Sequence, residues 1–190
     1  MNSRTYLART LLFSLVLIVA VVALNYIVDP YGITNAPRLE GFNQHKVDIN
    51  NYTRLNKRYQ PLFADHNAVI VGNSRVEMGV DPGHACFQRS AMEVYNLGMP
   101  GAGISTQLAH ALNMIYQQPV ESVFLSVDFI DFIDTVQTRP ERAALMAQQT
   151  GELKYLPSGK ANPDYYEVVI LDYLKSLFSL DALISTVKTI

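Results

Sequence analysis

Positive charge in excess, cysteine, and charged residues as a class are all scarce in this 190-residue chain. Lys and Arg total 15 against 17 Asp and Glu, a formal charge of -2, so no surplus of cations is available to neutralise a phosphate backbone. Nucleic acid is thereby excluded as the main partner. One cysteine, Cys86, excludes an internal disulfide framework and a multi-thiolate zinc site. Charged residues make up 17%, against roughly 25% in an ordinary soluble chain, while 49% are hydrophobic. Some apolar segment therefore lies outside a normal core. The length suits one domain with an appendage rather than two full domains.

That segment is easy to find. From Leu11 to Val28 the chain carries no charge, and as a helix this stretch spans about 27 Å, close to the hydrocarbon thickness of a bilayer. Arg4 and Arg9 precede it without an acid, whereas residues 29–44 hold Arg38 against Asp29 and Glu40. This asymmetry predicts a cytoplasmic N-terminus over residues 1–10 and a single-pass anchor over 11–28 in the inner, cytoplasmic membrane. The lipid bilayer is then a partner, and everything after Val28 is periplasmic or otherwise extracytoplasmic. Two other readings stand beside this one. Val21, Val22 and Ala23 resemble a signal-peptide cleavage site, which also exports the rest, and a buried helix of a soluble protein does not.

Asp29, Pro30, Tyr31 and Gly32 form a turn cluster that halts the helix, and a loop runs on to about Gly41. Between Lys46 and Phe63, apolar residues at Ile49, Tyr52, Leu55, Tyr59 and Leu62 suit one face of a helix. Its far face carries Lys46, Arg54, Lys57 and Arg58, read as solvated. Ala68 to Val71, Val94 to Leu97 and Val123 to Val127 are short apolar, β-branched runs with the character of buried parallel strands. Ser105 to Tyr116 reads as an amphipathic helix capped by Ser105 or Thr106. Alternating strands and helices predict an α/β fold, a doubly wound, flavodoxin-like parallel sheet. In such sheets ligands bind at the carboxyl ends of the strands.

All three predicted strands run into polar or glycine-rich turns at that edge: Gly72, Asn73, Ser74, Arg75; then Asn96 to Gly103; then Asp128 to Asp134. A serine on a tight turn after a buried strand presents its hydroxyl at the sheet edge, where backbone N–H groups stabilise an oxyanion during acyl transfer. A capped turn is the plainer use of the same residues. Gly72, Asn73 and Ser74, together with Asn96, Gly98 and Gly101, resemble the first two motif blocks of the SGNH or GDSL hydrolase superfamily, especially its membrane-anchored cell-envelope branches. The resemblance covers residues 29–134. It implies Ser74 as nucleophile and Gly101 as an oxyanion-hole donor, with the Ser74 N–H as a second. Asn73, Arg75, Asn96 and Gly98 are then binding residues of that edge. The implied activity is hydrolysis or transfer of an O-acyl group, acetyl first, on a surface polysaccharide or other glycan, through an acyl-Ser74 intermediate.

The chain departs from the pattern at three places. Asn73 replaces the aspartate of the Gly-Asp-Ser block, and Asp128 stands where the third block has its oxyanion-hole asparagine. A carboxylate does not donate to an oxyanion unless protonated, so Asp128 is expected to hold Arg75 or orient another group. The Asp-x-x-His block that supplies the general base has no counterpart, since His45, His66, His84 and His110 all precede the third strand. A serine without a base is a poor nucleophile, so a non-catalytic glycan-binding or polymer-assembly protein is the rival expectation. The tail 135–190 reads as helices, which makes the sheet incomplete and predicts a truncated N-terminal portion of a longer protein. No cofactor is expected, because Gly98, Gly101 and Gly103 run in the reverse order of the dinucleotide fingerprint. Asp128, Asp131 and Asp134 are separated by Phe and Ile rather than oxygen ligands, so capping is expected there and no metal.

Overall fold

Three of the apolar runs become strands, β1 (Ala68–Gly72), β2 (Val94–Gly98) and β3 (Ser122–Leu125), which pair in parallel in the order β2-β1-β3. The computed structural model describes residues 3–132 and 139–190, so Asp134 and its neighbours lie outside the described residues. Between the strands come α3 (Ser74–Gly79), α4 (Ala85–Gln88) and α5 (Ile104–Ile115); α1 (Ser3–Val28) and α2 (Thr53–Tyr59) precede them. After β3 follow α6 (Arg139–Gly151), α7 (Tyr165–Phe178) and α8 (Leu180–Thr189). The chain forms two compact units, one from residues Lys57–Val168 and the other from Met1–Asn56 with Val169–Ile190.

In the sheet unit, Val69 and Val71 of β1 and Leu97 of β2 pack with Ala111 and Met114 of α5. Side chains alternate along a strand, so Gly72 and Gly98 turn to the opposite face, where α3 lies. A Cβ on Gly98 would run into the Glu77 backbone, and one on Gly72 into the Val76 side chain. The two glycines therefore let α3 fold back onto the strands that deliver it. Two expectations change here. β3 is not a buried strand: Val123, Phe124 and Leu125 are exposed, and the described core cluster of the sheet draws on β1, β2 and α5 without a residue of β3. The start of α5 has Gly103 at the N-cap with no side-chain cap bond, so neither Ser105 nor Thr106 caps it.

In the other unit, α1 ends at Val28 and the chain turns through Asp29, which takes a left-handed conformation (φ 51°). The Asp29 carboxylate accepts the N–H groups of Ile33 (2.8 Å) and Thr34 (3.1 Å) and so fixes the turn. Carbonyls at a helix C-terminus lack intrahelical donors. Here Asn43 donates to Ile27 O (3.0 Å), and the Lys46 ammonium donates to the carbonyls of Val28 and Asp29 while pairing with the Asp29 carboxylate at 3.5 Å.

The predicted helix over 46–63 breaks into a 3-10 turn (Ile49–Tyr52), α2 and a second 3-10 turn (Gln60–Phe63) that contains Pro61, which lacks an N–H. Its cationic face is not the solvated face expected. Lys46 is buried, Lys57 donates to Asn96 O, and Arg58 pairs with Glu152 at 3.2 Å. Free carbonyls and a carboxylate draw these side chains inward.

Candidate functional site at the strand ends

Parallel register sets the two glycine-bearing turns side by side. Gly72 is paired with Gly98, and the Met99 N–H donates to Gly72 O at 3.0 Å, tying the first residue after β2 to the last of β1. Ser74 lies two residues beyond Gly72 and Gly101 three beyond Gly98, so both leave the sheet at its carboxyl edge. On the other side the Ser126 N–H donates to Val71 O at 2.8 Å and carries the chain from β3 toward Asp128 at the same edge.

Ser74 is the first residue of α3, where an N–H has no acceptor within the helix. Its side chain is half-buried. Among the described residues its hydroxyl has no hydrogen-bond partner. The Met99–Ala102 turn is closed by Ala102 N–H to Met99 O (3.2 Å), with Pro100 and Gly101 at its two central positions. Gly101 takes φ 67°, a region that glycine enters without strain, and the space where a Cβ would stand is open. Its amide is not used in closing the turn.

Asn73 and Asp128 bind the first and third turns together. The Asn73 amide donates to Asp128 Oδ2 at 3.0 Å while its oxygen accepts the Arg75 N–H at 2.9 Å, which makes it the N-cap of α3. The Arg75 guanidinium donates to Asp128 Oδ1 at 2.9 Å, the pairing that the sequence led us to expect. The two ends of that pair differ in exposure, 73% for the Arg75 side chain and 18% for Asp128. Asp128 is thus a sheltered acceptor that holds an exposed cation at the surface.

Asn96 works differently. Its amide donates to the carbonyls of Val76 (3.0 Å) and Val80 (2.8 Å), and its oxygen accepts the Gly98 N–H (2.8 Å). All of this joins β2 to the far end of α3, so Asn96 and Gly98 position the Ser74 helix from behind. Lys57, which sequence reasoning set aside as surface, reinforces this from below: it donates to Asn96 O and lies 5.3 Å from the centre of the Tyr95 ring. Burial lowers its pKa from the ordinary lysine value, against the pull of Glu77.

The histidines are elsewhere. His66 precedes β1 at the amino end of the sheet, His84 caps α4 with Nδ1 3.3 Å from the Cys86 N–H, His110 is buried within α5, and His45 belongs to the other unit. None stands in the three strand-end loops. Among the described residues no cluster of three or more His, Cys, Asp or Glu could hold a metal ion. A scan against protein-family models found no match, and neither curated proteins nor solved structures gave one.

Proposed function

We propose that the chain is a membrane-anchored, SGNH-like protein of the bacterial cell envelope that moves or removes an O-acyl group, acetyl first, on a surface glycan through Ser74. The observation that carries this reading is the Met99–Gly72 bond, which joins the Ser74 turn and the Gly101 turn at one strand edge. The order β2-β1-β3 supports it as well, since it corresponds to the first three strands of a flavodoxin-like sheet. So do two of the three departures from the family pattern. Asn73 and Asp128, which exchange the expected aspartate and asparagine, are bonded directly to each other. The pair makes a carboxylate–amide link between the first and third turns.

In this reading α1 is the anchor. It is 26 residues long, and only 11% of its most apolar window is buried by protein, unlike a core helix of a soluble domain. Arg4 and Arg9 keep its start cytoplasmic and leave the sheet on the outer side. The Ser74 oxygen forms the new ester bond to the acyl carbon as the bond to the glycan oxygen breaks, and the glycan leaves as the alcohol. The N–H groups of Gly101 and Ser74 donate to the carbonyl oxygen as it gains charge. Water or a second alcohol then takes the acyl group from Ser74. The proton that leaves the Ser74 hydroxyl ends on the departing glycan oxygen, and no histidine of the three loops carries it.

A fluorophosphonate probe tests this: the folded full chain should be labelled once, and Ser74→Ala should abolish the label. An unlabelled folded protein would count against catalysis. The absence of histidine from those loops favours a second reading, a glycan-binding protein that uses the same edge and the exposed Arg75 guanidinium held by Asp128. It predicts binding of acetylated glycan that survives Ser74→Ala, with no ester cleavage.

A further inference from the structure

Two helices of the chain have their polarity inside out. On α8 the residues packed into the protein are Ala182, Ser185 and Thr186, whereas Leu180, Ile184 and Val187 are 75%, 53% and 65% exposed. The last three recur at i, i+4 and i+7, one stripe along the helix. On α7 the buried residues are Asp172 and Ser176, while Ile170, Leu174 and Phe178, again at helical spacing, are exposed. A helix that faces water turns its stripe of large apolar side chains inward. These two do the reverse.

Buried polar groups on α8 are satisfied, so its orientation is fixed. Ser185 Oγ donates to Asp48 Oδ2 (2.8 Å), Thr186 Oγ1 donates to Asn25 Oδ1 (2.8 Å), and Ser179 caps the helix by accepting the Ala182 N–H (3.1 Å). Rotating the stripe inward would break the first two bonds. Asn25 also donates to Leu177 O at 2.9 Å, so one residue near the outer end of α1 holds both the end of α7 and the middle of α8. The helix that carries Asn25 is itself apolar and little covered by protein, with Phe13, Val16 and Val19 exposed along it. A surface of one character, shared by a membrane-length helix and the helix bonded to its end, has one solvent in common.

We propose that α8, with the second half of α7, lies in the outer interface of the membrane that α1 crosses, with Leu180, Ile184 and Val187 turned toward the lipid acyl chains. This rests on the reading of α1 as a membrane anchor. Lys188, which pairs with Asp48 at 3.1 Å, then lies at headgroup level beside the stripe. The anchor gains a second membrane contact of the kind made by interfacial amphipathic helices, whose apolar faces sink roughly 5–10 Å into the boundary between headgroups and acyl chains.

The test uses the full chain carrying Cys86→Ser and single cysteines at Leu15, Ile184 or Val187. Each is labelled with an environment-sensitive fluorophore and reconstituted in phosphatidylcholine–phosphatidylglycerol vesicles. Lipids brominated on the acyl chain should remove about half or more of the emission at Ile184 and Val187, since that depth puts the probe within their reach, and iodide in the water should quench little. If Leu15 is quenched by bromolipid while Ile184 and Val187 respond to iodide alone, α1 is an anchor and the assignment of α8 to lipid is wrong. Shielding of Ile184 and Val187 from both quenchers would mean that protein, such as a second copy of this chain, covers the stripe, and would equally overturn it. A Leu15 probe open to iodide would remove the anchor and the proposal together.

Discussion

Two polar clusters in this chain are built from similar residues and use them in opposite ways. Around the end of α1, Asn25, Asp29, Asn43, Lys46 and Thr186 are buried, and their side chains are committed to backbone carbonyls, backbone N–H groups or each other. At the carboxyl edge of the sheet, Asn73 and Asp128 are bonded, but the Arg75 side chain is largely exposed and the Ser74 hydroxyl is uncommitted. A polar group whose bonding capacity is used up by the fold can only hold the fold. A group left with spare capacity at an exposed edge is available for a ligand. On this criterion the strand edge, not the enclosed cluster, is the part of the molecule with polar groups to spare for a ligand.

The largest effect expected from breaking that contrast is Lys46→Met. It removes the donor to Val28 O and Asp29 O and leaves the Asp29 carboxylate buried without its cation. Losing one partner of a buried pair costs about 3–5 kcal/mol. Ser74→Ala, which removes no bond, should change stability by less than about 0.5 kcal/mol. Denaturant unfolding of the solubilised full chain measures both. Equal midpoints for the two variants would erase the distinction between a cluster that holds the fold and one that does not.

Glycines sharpen it further. Gly98→Ala forces a methyl group into the Glu77 backbone, an overpacking of about 2–3 kcal/mol. Gly101→Ala meets nothing, and only its φ of 67° is strained for alanine, at about 1 kcal/mol. If the Gly101 amide serves a ligand or an oxyanion, its substitution should impair binding or turnover far more than stability, the reverse of the Gly98 variant.

A smaller effect comes from exchanging the pair that bridges the first and third turns. Asn73→Asp sets one carboxylate against Asp128, and Asp128→Asn leaves Arg75 without its ion partner. Each change should cost about 1 kcal/mol. The double exchange restores an amide facing a carboxylate, so it should be more stable than the sum of the singles predicts. A double-mutant cycle with no coupling would show that the Asn73–Asp128 bond contributes nothing.

Much of this was legible in the sequence and some was not, for reasons that can be named. The apolar, β-branched runs at 68–71 and 94–97 gave their strands within a residue, because burial in a parallel sheet requires that composition. The run at 123–127 has the same composition but forms an exposed edge; composition registers what a strand can bury, and not how much packs on it. The cations at Lys46, Lys57 and Arg58 misled for a related reason. Spacing shows that they share a helix face, but their long stems reach carbonyls that only the tertiary fold brings near. The helical character of the tail 135–190 was equally plain, and periodicity cannot say whether an apolar stripe points to protein or away from it. At the strand edge, the turns and the Arg75–Asp128 pair could be read. The use of Asn96 as a brace for α3 could not, since it depends on where the helix ends.

The smallest expected effect concerns a half-buried group of the sheet unit that is less fully compensated than Lys46. His66 sits before β1 with its ring 5.1 Å from that of Tyr95, and its buried Nδ1 has no partner among the described residues. Burial disfavours the imidazolium and lowers the pKa from 6.5, although Glu93 and Asp65 pull the other way. Below 6.5 the unfolded chain therefore binds a proton that the folded chain refuses. Stability falls as pH is lowered from 6.5 through the folded pKa, and is constant in this contribution above and below that window. The denaturant midpoint of the wild type should drop between pH 7.5 and pH 5.5, and His66→Gln, which does not titrate, should drop less. Identical losses in the two proteins would place the acid sensitivity elsewhere and show that His66 accepts its proton in the fold as readily as in water.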